Sequence, residues 1–410
     1  MTSSPETMSP ADFALAPGFR SAGVTCGLKA SGREDLALIA ADRDCSAAGV
    51  FTTNRVVAAP VVLDRDVIAK RAGGVRAIVA NSGCANACTG DQGMNDAKRM
   101  AWLASQAVGC DPGQVLVLST GVIGVPLAMD KIERGVTLAA SALAAGGDSA
   151  GSTVRAIMTT DTRPKTAGAT AELRGGGVVI RGFAKGAGMI HPRMATMLAV
   201  ITTDALVPPE LLQRSLVEST GRSFNRVSVD GDMSTNDTVL LLASGASRVR
   251  VDEAERGPFT AALTEVCASL ARQIARDGEG ATRLVEVSVT GAASERDAHL
   301  VADAIARSAL VKTAVHGGDP NWGRVLAAAG TAGVPIAPER LALWFGEGAD
   351  AIRVVNGGMR DAYDERGAAE RLRRDPVAVR LDLGLGGAEA TVWTCDFSAD
   401  YVSINADYTT

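Results

Sequence analysis

The sequence predicts a layered α/β protein with mixed sheets, and three observations carry that prediction. Short apolar runs of strand length recur along the chain. Longer segments of helical periodicity fall among them, and the two kinds follow one another without the regular βαβ rhythm of an all-parallel sheet. In chain order, "VVLD" (61–64), "RAIVA" (76–80), "VLVLS" (115–119), "MLAVITT" (197–203) and "TVLLLAS" (238–244) read as strands. They are apolar throughout, so both faces are expected to be covered. "LVEVSVTG" (284–291) alternates instead and is expected to turn one face to solvent. "PFTAALTEVCASLARQIARDG" sets Phe259, Leu263, Val266, Leu270 and Ile274 at helical spacing, with Pro258 in the first turn and Gly278 at the stop. "SERDAHLVADAIARSAL" opens with Ser294 and, three residues on, Asp297, a variant of the capping box. The charged, turn-rich stretch "RVRVDEAERGP" (248–258) reads as an internal boundary, leaving a smaller α/β subdomain over about 250–400. No period of solenoid length is present.

Composition narrows the function. The chain has 410 residues, enough for more than one core. Apolar residues make up 47% and charged residues 21%, which argues against disorder. Aromatics are only 4%, so close backbone packing is expected to replace large aromatic clusters. The net charge of -5 argues against nucleic acid as a partner. The first residues lack a basic start and an apolar core, so they read as a tail and not a signal peptide. No run approaches the roughly 18 apolar residues of a membrane span. The seven cysteines are scattered, and only Cys84 and Cys88 sit close together. Without a second pair or a nearby histidine they do not make a metal site, and free thiols in a reducing cytoplasm are expected.

The usual catalytic constellations are missing. The only histidines are His191, His299 and His316, and His299 reads as a surface residue of a helix. No G-x-S-x-G follows a strand-like run as an elbow requires, there is no phosphate-binding G-x(4)-G-K-[ST] loop, and no G-x-G-x-x-G follows a strand. What remains is threonine. In "KGAGMIHPRMATMLAVITTDA" (185–205), Thr196 stands where a glycine-rich loop meets an apolar run. Two readings of it stand on the residues alone. One is a structural threonine at a loop-to-strand junction. The other is a nucleophile that becomes useful once the bond before it is cut. The freed α-amine, with a pKa of about 7.7–8.0, would then serve as the base for its own hydroxyl. Ala195 would offer an open carbonyl, and the β-methyl of Thr196 would restrict the aim of the hydroxyl.

The second reading gains from a resemblance. "KGAGMIHPRMATMLAVITTDA" resembles the signature of the glutamate N-acetyltransferase (ornithine acetyltransferase) family of arginine biosynthesis. "FTTNRVVAAPV" (51–61), "ANSGCANACTG" (80–90), "STGVIG" (119–124) and "IMTTDTRPK" (157–165) look like its first half. "SFNRVSVDGDMSTNDTV" (223–239), "DGEGATRLVEV" (277–287), "GGDPNWGRV" (317–325) and the terminal "NADYTT" look like its second. The resemblance implies a self-processing, N-terminal-nucleophile-like sandwich of distinct topology. It is cut between Ala195 and Thr196 into fragments 1–195 and 196–410, which stay together and assemble into heterotetramers or larger species. Thr196 would carry an acetyl group from N2-acetylornithine to glutamate by a ping-pong route, with acetyl-CoA an additional donor in some members and no metal or prosthetic group. Thr120 and Gly121 match the oxyanion-hole pair, where fixed donors are worth about 3–4 kcal/mol each. Thr159, Lys185, Glu279, Asn405 and Thr410 match substrate-binding positions. Lys185, in the glycine loop, would neutralise the shared α-carboxylate, and Glu279 would meet the δ-ammonium of ornithine. A small apolar acetyl pocket is expected near Met194, Met197 and the "GAGM" loop; His191 and Arg193 receive no role. A hydrolase of related self-processing fold and an uncut protein that only binds amino acids remain as other readings.

Overall fold

The sixteen-residue strand Leu36–Phe51 serves two sheets at once. The computed structural model describes residues 12–143, 147–191 and 197–407, so the expectations for Arg193, Met194, Ala195, Thr196 and Thr410 lie outside the described residues. The first part of the chain runs β1 (Phe19–Val24), β2 (Leu36–Phe51), α1 (Ala59–Arg71), β3 (Val75–Cys84), α2 (Gly90–Val108), β4 (Val115–Val122), α3 (Met129–Ala142), α4 (Gly147–Ala156), β5 (Lys165–Leu173), β6 (Gly176–Lys185), β7 (Leu198–Thr203), α5 (Pro209–Gly221), β8 (Thr238–Ala243) and α6 (Arg256–Arg276). Residues 36–41 of β2 pair with β1, and the same end of the strand pairs with β3, beyond which lies β4. After a register shift between Ala40 and Cys45, residues 46–51 pair with β8, which continues to β7, β6 and β5. The β3–β4 and β7–β8 pairs are parallel, and the other pairs of this sheet are antiparallel.

The two half-sheets lie face to face. Ile39, Ile78 and Leu118 of the first meet Phe183, Val200 and Leu240 of the second in one inner core. Their sequence neighbours point the other way. Leu38, Val79 and Val117 pack against Met100 of α2 and Ile132 of α3. Ile201 and Leu241 pack against Leu216 of α5 and Leu263 and Leu270 of α6. The order is therefore helices, sheet, sheet, helices. Both faces of β7 and β8 are covered, which is why they are apolar apart from Thr202, Thr203 and Thr238 and are buried along their whole length.

One predicted strand is a helix. "VVLD" lies in α1, which begins beside Pro60 and buries Val61, Asp64 and Val67. Those positions share one helical face, and the proline suits the first turn, so context overrides the strand preference of the valines.

A smaller sheet follows. It is built from β9 (Leu284–Ala292), α7 (Glu295–Arg307), α8 (Ala309–Gly317), α9 (Trp322–Ala329), β10 (Ala342–Phe345), β11 (Ile352–Asn356), β12 (Met359–Arg360), α10 (Glu365–Leu372), β13 (Val377–Asp382) and β14 (Ala388–Cys395), and α11 (Ala399–Asp407) ends the described chain. The strand order is β12-β11-β10-β13-β9-β14, and only β9 and β13 run parallel. Val285, Val287 and Val289 enter a core with Val301 and Ile305 of α7, while the intervening Glu286, Ser288 and Thr290 are half-buried. Ser294 caps α7 by accepting from the Asp297 N–H at 3.1 Å. His299 is half-buried on that helix and not on the surface as expected, because its ring lies beside Arg226 and Glu295; burial lowers its pKa. No described helix is long and apolar enough to cross a membrane.

Candidate active site

The strand ends that meet between the half-sheets line a cleft of about 640 Å³ with its open mouth included. The first half-sheet contributes the ends of β3 and β4. The second contributes the end of β6 and the approach to β8. Thr120, Gly121, Thr159, Lys185, Glu279 and Asn405 all line it. Six residues spread over more than half the sequence, each expected from the resemblance, thus share one cavity.

Lys185 is the last residue of β6, paired with Leu198, and not part of the glycine loop that follows. It is 3% exposed, and its ammonium makes no hydrogen bond or ion pair with a described residue. Burial lowers its pKa; the carboxylates of Asp161, Glu279 and Asp237 pull the other way. An ammonium held in a cleft without a direct counter-ion is a receptor for an anionic group.

Below Lys185 lies an ionic knot that the sequence reading missed. Asp161 accepts from the Thr159 N–H at 2.9 Å, from the Gly186 N–H at 2.6 Å and from Lys165 Nζ at 2.6 Å. Lys165 also donates to Asp277 at 2.6 Å. All three side chains are buried. Burial alone would raise the Asp161 pKa, but the charges of Lys165 and Lys185 and the Gly186 N–H outweigh it and hold the carboxyl well below its ordinary range. One carboxylate therefore fixes the backbone on both sides of the cleft, beside Thr159 and beside Lys185. Asp277, two residues before Glu279, extends the knot to the far wall.

Glu279 follows α6. Its N–H donates to Ala187 at 2.8 Å, and Asn405 of α11 donates to its carboxylate at 2.9 Å. Gly188 leaves room for that carboxylate, since a Cβ there would sit 2.3 Å from a Glu279 oxygen and push it aside. The helix bearing Asn405 is set by Phe397 and Tyr401, whose rings stack at 4.4 Å, and by buried Lys312 over the Phe397 ring. The loop 186–190 is held from beneath by Asp230, which accepts from Met189 and Ile190 N–H at 2.5 and 2.8 Å. Burial lifts the Asp230 pKa to about 6 despite those donors.

Thr120 and Gly121 lie just before the last residue of β4, in register with Ser82 and Gly83 of β3. Gly121 has φ +131°, and a Cβ on it would lie 2.4 Å from the Gly83 carbonyl carbon. Only glycine brings the two strand ends this close. The opposite lip is the polar run Ser234–Thr235–Asn236 before β8. The next residue, Asp237, is 0% exposed and accepts from the Met197 N–H at 3.1 Å, while Met197 O accepts from Thr238 N–H at 3.1 Å. Burial raises the Asp237 pKa well above the carboxylate range. These bonds anchor the chain immediately after Thr196. Met197 itself packs into the core under α5 and α6 and does not line the cleft, contrary to the expected acetyl pocket, whereas Gly188 and Met189 of the "GAGM" loop do line it. His191 sits beside Ser228 at 3.4 Å, outside the cleft lining. All seven cysteines are unpaired, and no cluster of metal-ligating side chains occurs among the described residues. A signal for the missed lip was available: "DMSTND" is a polar run directly before a largely apolar strand.

Comparison with known proteins gives a consistent assignment. The model of the ArgJ family matches residues 20–410. The arginine biosynthesis bifunctional protein ArgJ of Symbiobacterium thermophilum is 50% identical over 400 residues, covering 96% of this chain and 97% of that protein. Its counterpart in Geobacter sulfurreducens is 48% identical over 397 residues, covering 96% and 99%. The crystal structure of ornithine acetyltransferase complexed with ornithine from Mycobacterium tuberculosis is 39% identical, covers 46% of this chain and 98% of that chain, and has a TM-score of 0.43. The matched span takes in both half-sheets, the smaller sheet and every wall of the cleft, and the chain belongs to the ArgJ family.

Proposed function

We propose that this acyltransferase moves an acetyl group from N2-acetylornithine to glutamate in arginine biosynthesis, through an ester on Thr196. The observation that carries the reading is the set of charges in one cleft lining: the Lys185 ammonium, without a hydrogen-bond partner among the described residues, and the Glu279–Asn405 pair, together with Thr120 and Gly121. Both substrates are α-amino-acid derivatives, so one cation suits the α-carboxylate of either. Glu279 suits the δ-ammonium that only the ornithine half-reaction presents.

The chain first cuts itself. The Thr196 hydroxyl adds to the Ala195 carbonyl, the C–N bond breaks as an ester forms, and the hydroxyl proton ends on the new α-amine. Water then hydrolyses the ester. The freed amine takes the proton from the Thr196 hydroxyl as that oxygen attacks the acetyl carbon of N2-acetylornithine, and returns it to the departing ornithine nitrogen. Glutamate's amine reverses the steps. The negative oxygen of each tetrahedral intermediate is received at Thr120 and Gly121. The fold supports a cut that leaves one body. β6 pairs with β7, and β2 with β8, across the junction, so two sets of strand hydrogen bonds and a shared core join residues 1–195 to 196–410. Acetyl-CoA enters the scheme as an alternative donor to the same threonine.

The test is to incubate the purified protein with N2-acetylornithine, with and without glutamate. Ornithine release that depends on glutamate, with matching N-acetylglutamate, supports transfer. Release that ignores glutamate would mean hydrolysis. Glutamate with acetyl-CoA alone tests the second donor.

A further inference from the structure

Asn236 sits in the lip of the cleft, 5% exposed, and was not among the residues singled out from the sequence. Its amide nitrogen donates to two main-chain carbonyls, Ala85 at 2.6 Å and Ser119 at 2.8 Å. Its Oδ1 accepts from the Thr235 hydroxyl at 2.6 Å. Both amide hydrogens are thus committed to backbone of the first half-sheet, although Asn236 leads into β8 of the second. The Ser119 carbonyl and the Thr120 N–H belong to one planar peptide unit. Fixing the oxygen fixes the plane of that peptide, and with it the Thr120 Cα that carries the hydroxyl and the path of the chain into Gly121. Ala85 follows β3, whose Gly83 lies against Gly121. The same side chain therefore ties both strand ends that form the floor of the cleft. Around it the polar groups are satisfied from within the first half-sheet: Ser119 Oγ donates to Asn81 Oδ1 at 2.7 Å, and Asn81 Nδ2 donates to the Cys84 carbonyl at 2.9 Å. A buried network of this kind specifies one geometry because each member has a partner.

We propose that Asn236 is a positioning residue for acyl transfer, holding Thr120 and Gly121 at the aim that receives the oxyanion. It acts on turnover and not on substrate affinity, and the proposal rests on the oxyanion-hole reading given above. Asparagine suits the task because it presents two donors to two carbonyls and no charge. Aspartate has the same shape but would turn carboxylate oxygens toward both carbonyls.

The experiment compares Asn236→Asp, Thr120→Ala and the double variant as purified enzymes, with the cut fraction counted by intact mass. Steady-state rates are measured with N2-acetylornithine and glutamate. Asn236→Asp is expected to lower kcat about 100-fold, the scale of a misplacement near 1 Å. Both KM values should stay within about threefold, and the double variant should lose little beyond the worse single, as for residues acting as a unit. A normal kcat, a change confined to KM, multiplicative losses, or a chain that no longer cuts itself would each overturn the proposal. Thr120→Ala separates the two levels. If it is slow while Asn236→Asp is normal, only the role of Asn236 fails. If Thr120→Ala turns over normally, the oxyanion-hole reading fails first. Should Asn236→Asp not fold, Asn236→Ser, which keeps one donor, is read by the same criteria.

Discussion

Replacing Lys185 by methionine removes a charge while keeping most of the length and volume of the side chain, and the structure fixes the sign of two separate effects. The ammonium makes no hydrogen bond or ion pair with a described residue, so its removal breaks none of those. Burial and, after it, the Lys165 charge together disfavour its charged form by more than Asp161, Glu279 and Asp237 favour it. The empty enzyme should therefore melt at the same temperature or higher. Substrate binding should suffer. A hydrogen bond to a charged group is worth about 1.5–3 kcal/mol, which is roughly a 10- to 150-fold loss in affinity. Because both substrates offer an α-carboxylate, KM should rise for N2-acetylornithine and for glutamate alike. Steady-state kinetics for each substrate and a thermal melt of the unliganded protein measure the two effects. A melting temperature several degrees lower, with unchanged KM, would show that the ammonium serves the fold and would refute the reasoning.

Other expectations follow from the same geometry. Glu279→Gln should raise KM for N2-acetylornithine about tenfold or more and leave that for glutamate nearly unchanged, since glutamate has no δ-ammonium; equal effects on both would contradict the assignment. Gly188→Ala places a methyl 2.3 Å from a Glu279 oxygen, so it should reproduce the selective defect of Glu279→Gln in the same assay. Asp230 has a folded pKa of about 6, raised from 3.8 by burial. The stability linked to this group is full below its unfolded pKa and is lost as pH rises through about 6. Asp230→Asn should remove that slope, at most about 3 kcal/mol, between pH about 4 and 6. Chemical denaturation of both proteins across that window checks it, and parallel curves would show that the carboxyl titrates normally.

What could be read from the sequence divides along physical lines. The largely apolar strands β7 and β8 were legible because both faces are covered, one by helices and one by the other half-sheet. α6 and α7 were legible from period and caps. β5 and β6 left no comparable signal. "KTAGATAEL" and "GGVVIRGFAK" are rich in glycine, alanine and threonine because α6 lies close on them: a Cβ at Gly182 would meet Leu270 and Val266 at 3.1 Å. The bend that lets β2 join two sheets lies in "AADRDC", an exposed polar stretch inside a strand, which reads locally as a loop. In the cleft, the motif residues Thr120, Gly121, Thr159, Lys185, Glu279 and Asn405 were all anticipated. Asp161, Asn236 and Asp237 were not. Their importance comes from what they bond, and those partners lie on strand ends that only the face-to-face packing of two half-sheets brings together. Lys185 was placed in a loop because glycines follow it, whereas its pairing with Leu198 extends the strand to the charge itself.

The central claim is that Thr196, freed at a chain terminus, carries the acetyl group. The most direct measurement is intact mass and N-terminal sequencing of the purified protein before and after incubation with N2-acetylornithine alone. The account predicts two fragments, the second beginning at Thr196, and a gain of one acetyl group on that fragment that disappears when glutamate is added. An uncut chain that transfers acetyl groups at a normal rate, or an acetyl group found on the other fragment, would contradict it.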